Sequence, residues 1–271
     1  MSETPWDDFL SAGRRPPCGT STAEWFDRLA ERFLNGCTLH VGEVTYRLSE
    51  IEFYYHSPRH PDPFVHGHPL QKNPGAWYLH RHGSGFRGGS FKGIDLCFGN
   101  RVSYGGILLR SIAVAAGNAH PSGGGPTEIQ DVELISGPSL VVDALMNTLH
   151  AASVAELDRM ISRYPAWSRK NPLHISLQRR RPIPIWRTQR VGLKPSQSDV
   201  AERYRSAHYR YLNEPRRITK GRGLLIAAML EAGMTDDAIT EVVGCTKAMF
   251  THQRWLQLAD QLTRPFGGHS G

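Results

Sequence analysis

Ser49-Glu-Ile-Glu-Phe-Tyr-Tyr55 is the stretch that decides how this chain folds. Read as a strand over residues 48–55, it alternates: Glu50, Glu52 and Tyr54 share one face, while Ile51, Phe53 and Tyr55 share the other. The second face is core and the first is a site. Asp62-Pro-Phe-Val-His66 follows closely, so a carboxylate, an aromatic ring and an imidazole lie within one short span. These are the parts needed to grip and hydrolyse something flat.

Outward from this strand, residues 38–55 and 75–114 are strand-rich. Between them, residues 56–74 hold four His and five Pro, the composition of an ordered loop passing over a site. Upstream, Trp25, Phe26, Leu29, Ala30 and Phe33 recur at helical spacing behind Thr22, the expected cap. Residues 1–20, with Gly13, Pro16, Pro17 and Gly19, form an arm. Downstream, a Gly-rich loop runs from Gly117 to Pro126. A helix capped by Ser136 or Ser139 then has Leu140, Val141, Ala144, Leu145 and Leu149 as its apolar positions. Residues 159–222 mix short strands, such as Ile183 to Val191, with a helix around Asp199 to Leu212. From residue 221 the texture becomes helix, turn, helix. Leu224 to Ala232 ends at Gly233, Thr235 caps Asp236 to Val243, Gly244-Cys245 turns, and Thr246 caps a second helix through Trp255. The pattern is α+β, with an arm over 1–20, a main unit over 21–220 and a helical extension over 221–271.

The chain has 271 residues, more than the ~100–200 of a usual domain. It carries 32 Lys and Arg against 25 Asp and Glu, a net charge of +7. The excess is concentrated between Arg159 and Arg222, the footprint of a polyanion binder, with nucleic acid the expected partner. Cys18, Cys37, Cys97 and Cys245 lack the spacing of a zinc ribbon or a disulfide framework. Free thiols fit a reducing cytoplasm. The acidic N-terminus has no apolar leader, and no run reaches the ~18 apolar residues of a membrane span. A soluble cytoplasmic protein without membrane contact is expected.

Further motifs follow the first in order: Gly75-Ala-Trp-Tyr-Leu-His-Arg81, Gly93-Ile-Asp-Leu-Cys97, Gly106-Ile-Leu-Leu-Arg-Ser111 and Ile135-Ser-Gly-Pro-Ser139. Over residues 38–215 the set resembles the alkyladenine (3-methyladenine, methylpurine) DNA glycosylase family. That family carries Glu-x-Tyr on a strand, then Asp-Pro-x-x-His, Gly-x-x-Tyr-x-Tyr, Met-Asn, Leu-Leu-Arg and Ser-Gly-Pro-Ser. The resemblance implies a mixed, mostly antiparallel β-sheet core with surrounding helices. It implies a monomer acting on DNA with a damaged or modified base, with no metal and no other cofactor.

Such an enzyme flips a nucleotide out of the duplex and hydrolyses its N-glycosidic bond, leaving an abasic site. By the resemblance, Glu52 is the catalytic carboxylate, with Glu50 the alternative if the strand register differs. Arg110 holds the water against it, and an adjacent guanidinium favours the ionised form that a general base needs. Tyr54 stacks on the base, with His66, Tyr78, His80 and Asp95 around it. The pattern departs from the family at two of these positions: His80 replaces a Tyr, and Asp95 replaces the Asn that discriminates among purines. Substrate choice is therefore open between alkylated purines, as in base excision repair, and an enlarged modified base such as some bacteriophages carry, as in antiviral defence. The tip Arg81-His-Gly-Ser-Gly-Phe-Arg-Gly-Gly89 replaces a shorter family hairpin. It offers Phe86 as the wedge, flanked by Arg81 and Arg87 on the DNA. No lysine matches a Schiff-base position, so a monofunctional hydrolase is expected.

Two other readings compete. The C-terminal helices resemble a helix-turn-helix, with Lys247 and Arg254 on the recognition helix, and a non-enzymatic regulator needs only these. Alternatively His56, His60, His66, His68, His80 and His82, with Asp62 and Asp95, ligate a metal in a nuclease.

Overall fold

A computed structural model describes residues 21–115, 133–178 and 181–245. The N-terminal arm, the Gly117–Pro126 loop and the helix from Thr246 through Trp255 lie outside the described residues. The rest is an α+β arrangement with six α-helices among the described residues and one large antiparallel sheet.

The first helix, α1 (Thr22–Gly36), is capped by Ser21 rather than Thr22. The Ser21 hydroxyl accepts from the Glu24 amide while the Glu24 carboxylate accepts from the Ser21 amide, a reciprocal box that fixes the helix start one residue earlier. Its apolar stripe delivers Trp25, Phe26, Leu29, Ala30 and Phe33 to the core. Next come β1 (Cys37–Val41), β2 (Val44–Ser57), β3 (His60–Pro61), β4 (Trp77–Leu79), the hairpin β5 (Arg81–His82) and β6 (Gly85–Phe86), β7 (Ile94–Cys97), β8 (Tyr104–Val114) and β9 (Leu134–Ser136). The chain continues through α2 (Pro138–Thr148), α3 (Val154–Ile161), β10 (Leu173–Leu177), β11 (Trp186–Thr188), α4 (Asp199–Arg205), β12 (Arg210–Leu212), α5 (Arg222–Glu231) and α6 (Asp236–Val243).

The main sheet runs β10-β1-β2-β8-β7-β4, and β12 adds to the same edge of β2 beyond β1. Ile51, Phe53 and Tyr55 do face the core, where the Phe53 ring stacks on Phe26 at 4.5 Å. Strict alternation fails at Leu48, which is also core. Ser49 is an extra residue on β2, and Arg110 an extra residue on β8, so two offset bulges interrupt the ladder. A bulge re-aims side chains. Here Ser49 with Glu50, and Arg110 with Ser111, are adjacent pairs lying between core residues.

Three expected elements differ. The α2 cap is Gly137, with Pro138 pre-setting the first turn, because Ser136 is already spent in β9. The strand read over Ile183 to Val191 shrinks to β11. The helix read through Leu212 stops at Arg205, and Arg210, Tyr211 and Leu212 pair with Glu52, Ile51 and Glu50. Beyond β12, Leu212, Ile218, Leu225, Ile226, Met229, Ile239, Val243 and Cys245 form a second apolar cluster. Thr235 caps α6 and Gly244 ends it in the left-handed region, as the sequence indicates. Cys37, Cys97 and Cys245 are free and buried. Among the described residues no helix is long and apolar enough to cross a membrane.

Candidate active site

The register places one residue from each of five strands in a row on the sheet face away from the core: Arg210, Glu52, Leu108, Asp95 and Tyr78 are successive cross-strand partners. With strands about 4.8 Å apart, the Glu52 and Asp95 backbones stand roughly 10 Å apart. Two covers close this face. The His- and Pro-rich segment contributes Phe64, His66 and Gln71, and the stretch after β11 contributes Leu193; with Tyr54, His80 and Asp95 they line a cavity of about 120 Å³.

Glu52 has no exposed surface. One oxygen accepts the Val191 amide at 2.7 Å and lies 3.3 Å from the Arg110 guanidinium. The other accepts the Tyr54 hydroxyl at 2.9 Å. Tyr54 therefore joins cavity to carboxylate, its ring lining the first and its hydroxyl reaching the second. Its phenol is held well above the usual range by burial and by the Glu52 charge. On its ring lies Arg190, with the guanidinium 4.6 Å from the centroid. Arg190 is itself buried and doubly bonded to Asp62 at 2.7 and 3.3 Å.

Glu50, the neighbouring carboxylate on this face, has a different role. It accepts Arg110 Nε at 2.7 Å, Arg210 Nε at 2.7 Å and the Ser111 hydroxyl at 2.6 Å. Burial raises its pKa, but Arg210 and Arg110 outweigh that and lower it. The Arg110 guanidinium is stabilised as a cation by Glu52 and Glu50 against the opposing effect of burial. Glu50 is thus an anchor for two arginines.

At the other end of the row, both Asp95 oxygens are occupied. Oδ1 lies 2.8 Å from His80 Nε2, and Oδ2 accepts Gln71 Nε2 at 3.2 Å. Space for this carboxylate exists because residue 106 is glycine: a Cβ there would lie 2.5 Å from Asp95 Oδ2. His80 in turn lies so close to Gly93 that a Cβ there would meet its ring at 2.5 Å. His66 stands edge-on to His80, centroids 4.4 Å apart, at the exposed mouth. Its pKa is lowered, first by burial against the wall and then by His80. Tyr78 does not line the cavity. It is buried behind it among His66, His68 and His80, and burial followed by the Asp95 charge pushes its pKa up to about 12.

The hairpin tip departs from expectation. Phe86 packs partly against the core under the Arg81 guanidinium, 4.1 Å from its centroid, and Arg81 also pairs with Asp158 at 3.1 Å. Arg87 donates to the Arg81 carbonyl at 3.2 Å. The open ring is Phe91, 71% exposed in the turn just beyond the hairpin. Lys247 and Arg254 lie outside the described residues. The histidines of the metal reading do not converge as ligands: His66 and His80 lie together beside Asp95, but His60 sits apart in an aromatic cluster with Phe26, Tyr55, Tyr204 and Tyr209, and the described residues contain no group of three or more His, Cys, Asp or Glu placed to hold a metal.

Of the residues singled out in the sequence, the structure brings Tyr54, His66, His80 and Asp95 to one cavity, and Glu52 and Arg110 join it only through the Tyr54 hydroxyl. Sequence reasoning misses Gln71, Arg190 and Arg210, which belong to no local pattern and are recognisable only by the partners they meet.

No family model matches the chain. Over 148 residues it is 30% identical to an uncharacterized protein of Acanthamoeba polyphaga mimivirus, an alignment covering 49% of this chain and 62% of that protein. The match thus spans less than two thirds of that relative.

Proposed function

We propose that this protein is a monofunctional DNA glycosylase that takes a flipped, damaged or modified base between Tyr54 and the His66–His80 wall and hydrolyses its N-glycosidic bond. The observation that carries this reading is the Tyr54 ring lining a cavity while its hydroxyl bonds a buried carboxylate that Arg110 also touches. The ring stacks on the base, and Glu52 draws a proton from water and stabilises the cationic sugar. The methylpurine-glycosylase-like topology, suggested by the motif order and compatible with the antiparallel sheet, belongs to this proposal. So does a helix-turn-helix extension, with Lys247 and Arg254 on backbone phosphates.

Cavities of ~150 Å³ accept a single benzene ring; the present 120 Å³ is smaller, so a base enters only as His66 turns aside at the mouth. An enlarged base would carry its substituent out past the same residue. Phe91 is the better wedge, since its ring is free to enter the stack while Phe86 is engaged by Arg81.

The test compares wild type with Glu52→Gln on alkylated, deaminated and hypermodified duplexes, scoring alkali-sensitive breaks and released base by mass spectrometry. Release by the wild type alone is expected. Equal release by both proteins, or none from any duplex, would overturn the reading.

A further inference from the structure

A second cavity, of about 500 Å³, lies at the β1 and β10 edge of the sheet, lined by His40, Arg169, Lys170 and His174 among others. His40 and His174 are register partners across β1 and β10, and their rings stack with centroids 4.4 Å apart and planes within 2°. Each has one nitrogen engaged. His174 Nδ1 donates to the Asn171 carbonyl at 3.0 Å, and His40 Nε2 lies 2.7 Å from the Ser176 hydroxyl. Stacked parallel rings hold their lone pairs in parallel planes, which do not converge as metal ligands must. The pair instead places two ring nitrogens beside the cations Arg169 and Lys170. One carboxylate, Glu43, lines the cavity against two full cations and two imidazoles. Burial, then His174, then Arg169 hold the His40 pKa down.

We propose that this cavity binds a phosphate group, with Arg169 and Lys170 supplying fixed charge and the two imidazoles donating hydrogen bonds when protonated. The phosphate is either one in the backbone of a bound duplex or a free phosphate or phosphomonoester. Position favours the duplex. Leu39 and Val41 face the core, so His40 points to the opposite face, the same one that carries Glu52. His40 is opposite Thr45, and the seven steps from Thr45 to Glu52 cover about 23 Å at ~3.3 Å each. A duplex on that face spans this distance in about seven base pairs at 3.4 Å each. The site stands whether or not the protein hydrolyses a base.

The test follows the His40 and His174 Cε1 proton resonances of the whole protein near neutral pH, adding inorganic phosphate against chloride at matched ionic strength, then duplex DNA. The exposed Arg169 is changed to Ala in parallel. Phosphate is expected to move the His40 resonance toward the imidazolium position and to perturb that of the stacked His174, and Arg169→Ala to remove both changes. If the duplex moves them too, and Arg169→Ala lowers the slope of log affinity on log salt by about 0.9, the source is the backbone. An unchanged slope with an intact phosphate response assigns the site to a free phosphate. Silence of both resonances toward both ligands would overturn the proposal. Base release plays no part in any arm, so failure of the glycosylase reading is separately visible.

Discussion

Glu50 and Glu52 are two residues apart and share a face, yet their surroundings divide their work. Glu50 is enclosed by Arg110, Arg210 and Ser111; removing its charge strands two buried guanidinium groups. Glu50→Gln is expected to lower stability by about 3–5 kcal/mol in denaturant titration. Glu52→Gln keeps the Glu50 anchor, so its loss should be in chemistry more than in stability. Tyr54→Phe retains the ring but deletes the hydroxyl bond to Glu52. A hydrogen bond to a charged group is worth about 1.5–3 kcal/mol, so single-turnover base release should fall roughly 10- to 100-fold with duplex affinity unchanged. A larger loss of affinity than of rate would show that the hydroxyl serves binding.

Among the elements, β2 is legible in the sequence because a half-buried strand writes its two faces as alternating residues, α1 because its apolar stripe repeats at helical spacing although its cap is Ser21, and α6 because its cap Thr235 is local. What escaped is set by partners far along the chain. The bulges at Ser49 and Arg110 leave no local mark, since each exists only in the pairing of β2 with β8. β12 was absorbed into a helix because Asp199 to Leu212 is locally compatible with one; its strand state rests on the ladder to Glu50 and Glu52. Tertiary pairing overrode propensity there. The β8 strand also gives a test of the cavity floor. Gly106→Ala introduces a Cβ 2.5 Å from Asp95 Oδ2, so the Asp95 bonds to His80 and Gln71 should break. Expected readouts are a changed His80 resonance and weakened binding of the flipped base, with Glu52 chemistry on any base still released less affected. Unchanged His80 and binding would mean that the strand simply shifts.

For the whole molecule, acid is the expected weakness. His60 is 7% exposed among aromatic rings, and burial, then Arg190, lowers its pKa from 6.5 to about 4. The unfolded chain therefore binds this proton more readily, so stability is full above pH 6.5 and declines as pH falls toward 4. The contribution is on the order of 3 kcal/mol. His60→Phe should flatten this limb of the Tm-versus-pH curve, and an identical limb in the variant would assign acid sensitivity elsewhere. The row that forms the site has a further consequence at this scale. Its members are residues 52, 78, 95, 108 and 210, so the arginine that completes it arrives long after the carboxylate it flanks has been synthesised. A chain still emerging from the ribosome, or clipped before β12, has the reagents but not their assembly. The row is complete only once β12 has paired with β2, so the geometry proposed for base excision is absent from a chain that stops short of that strand.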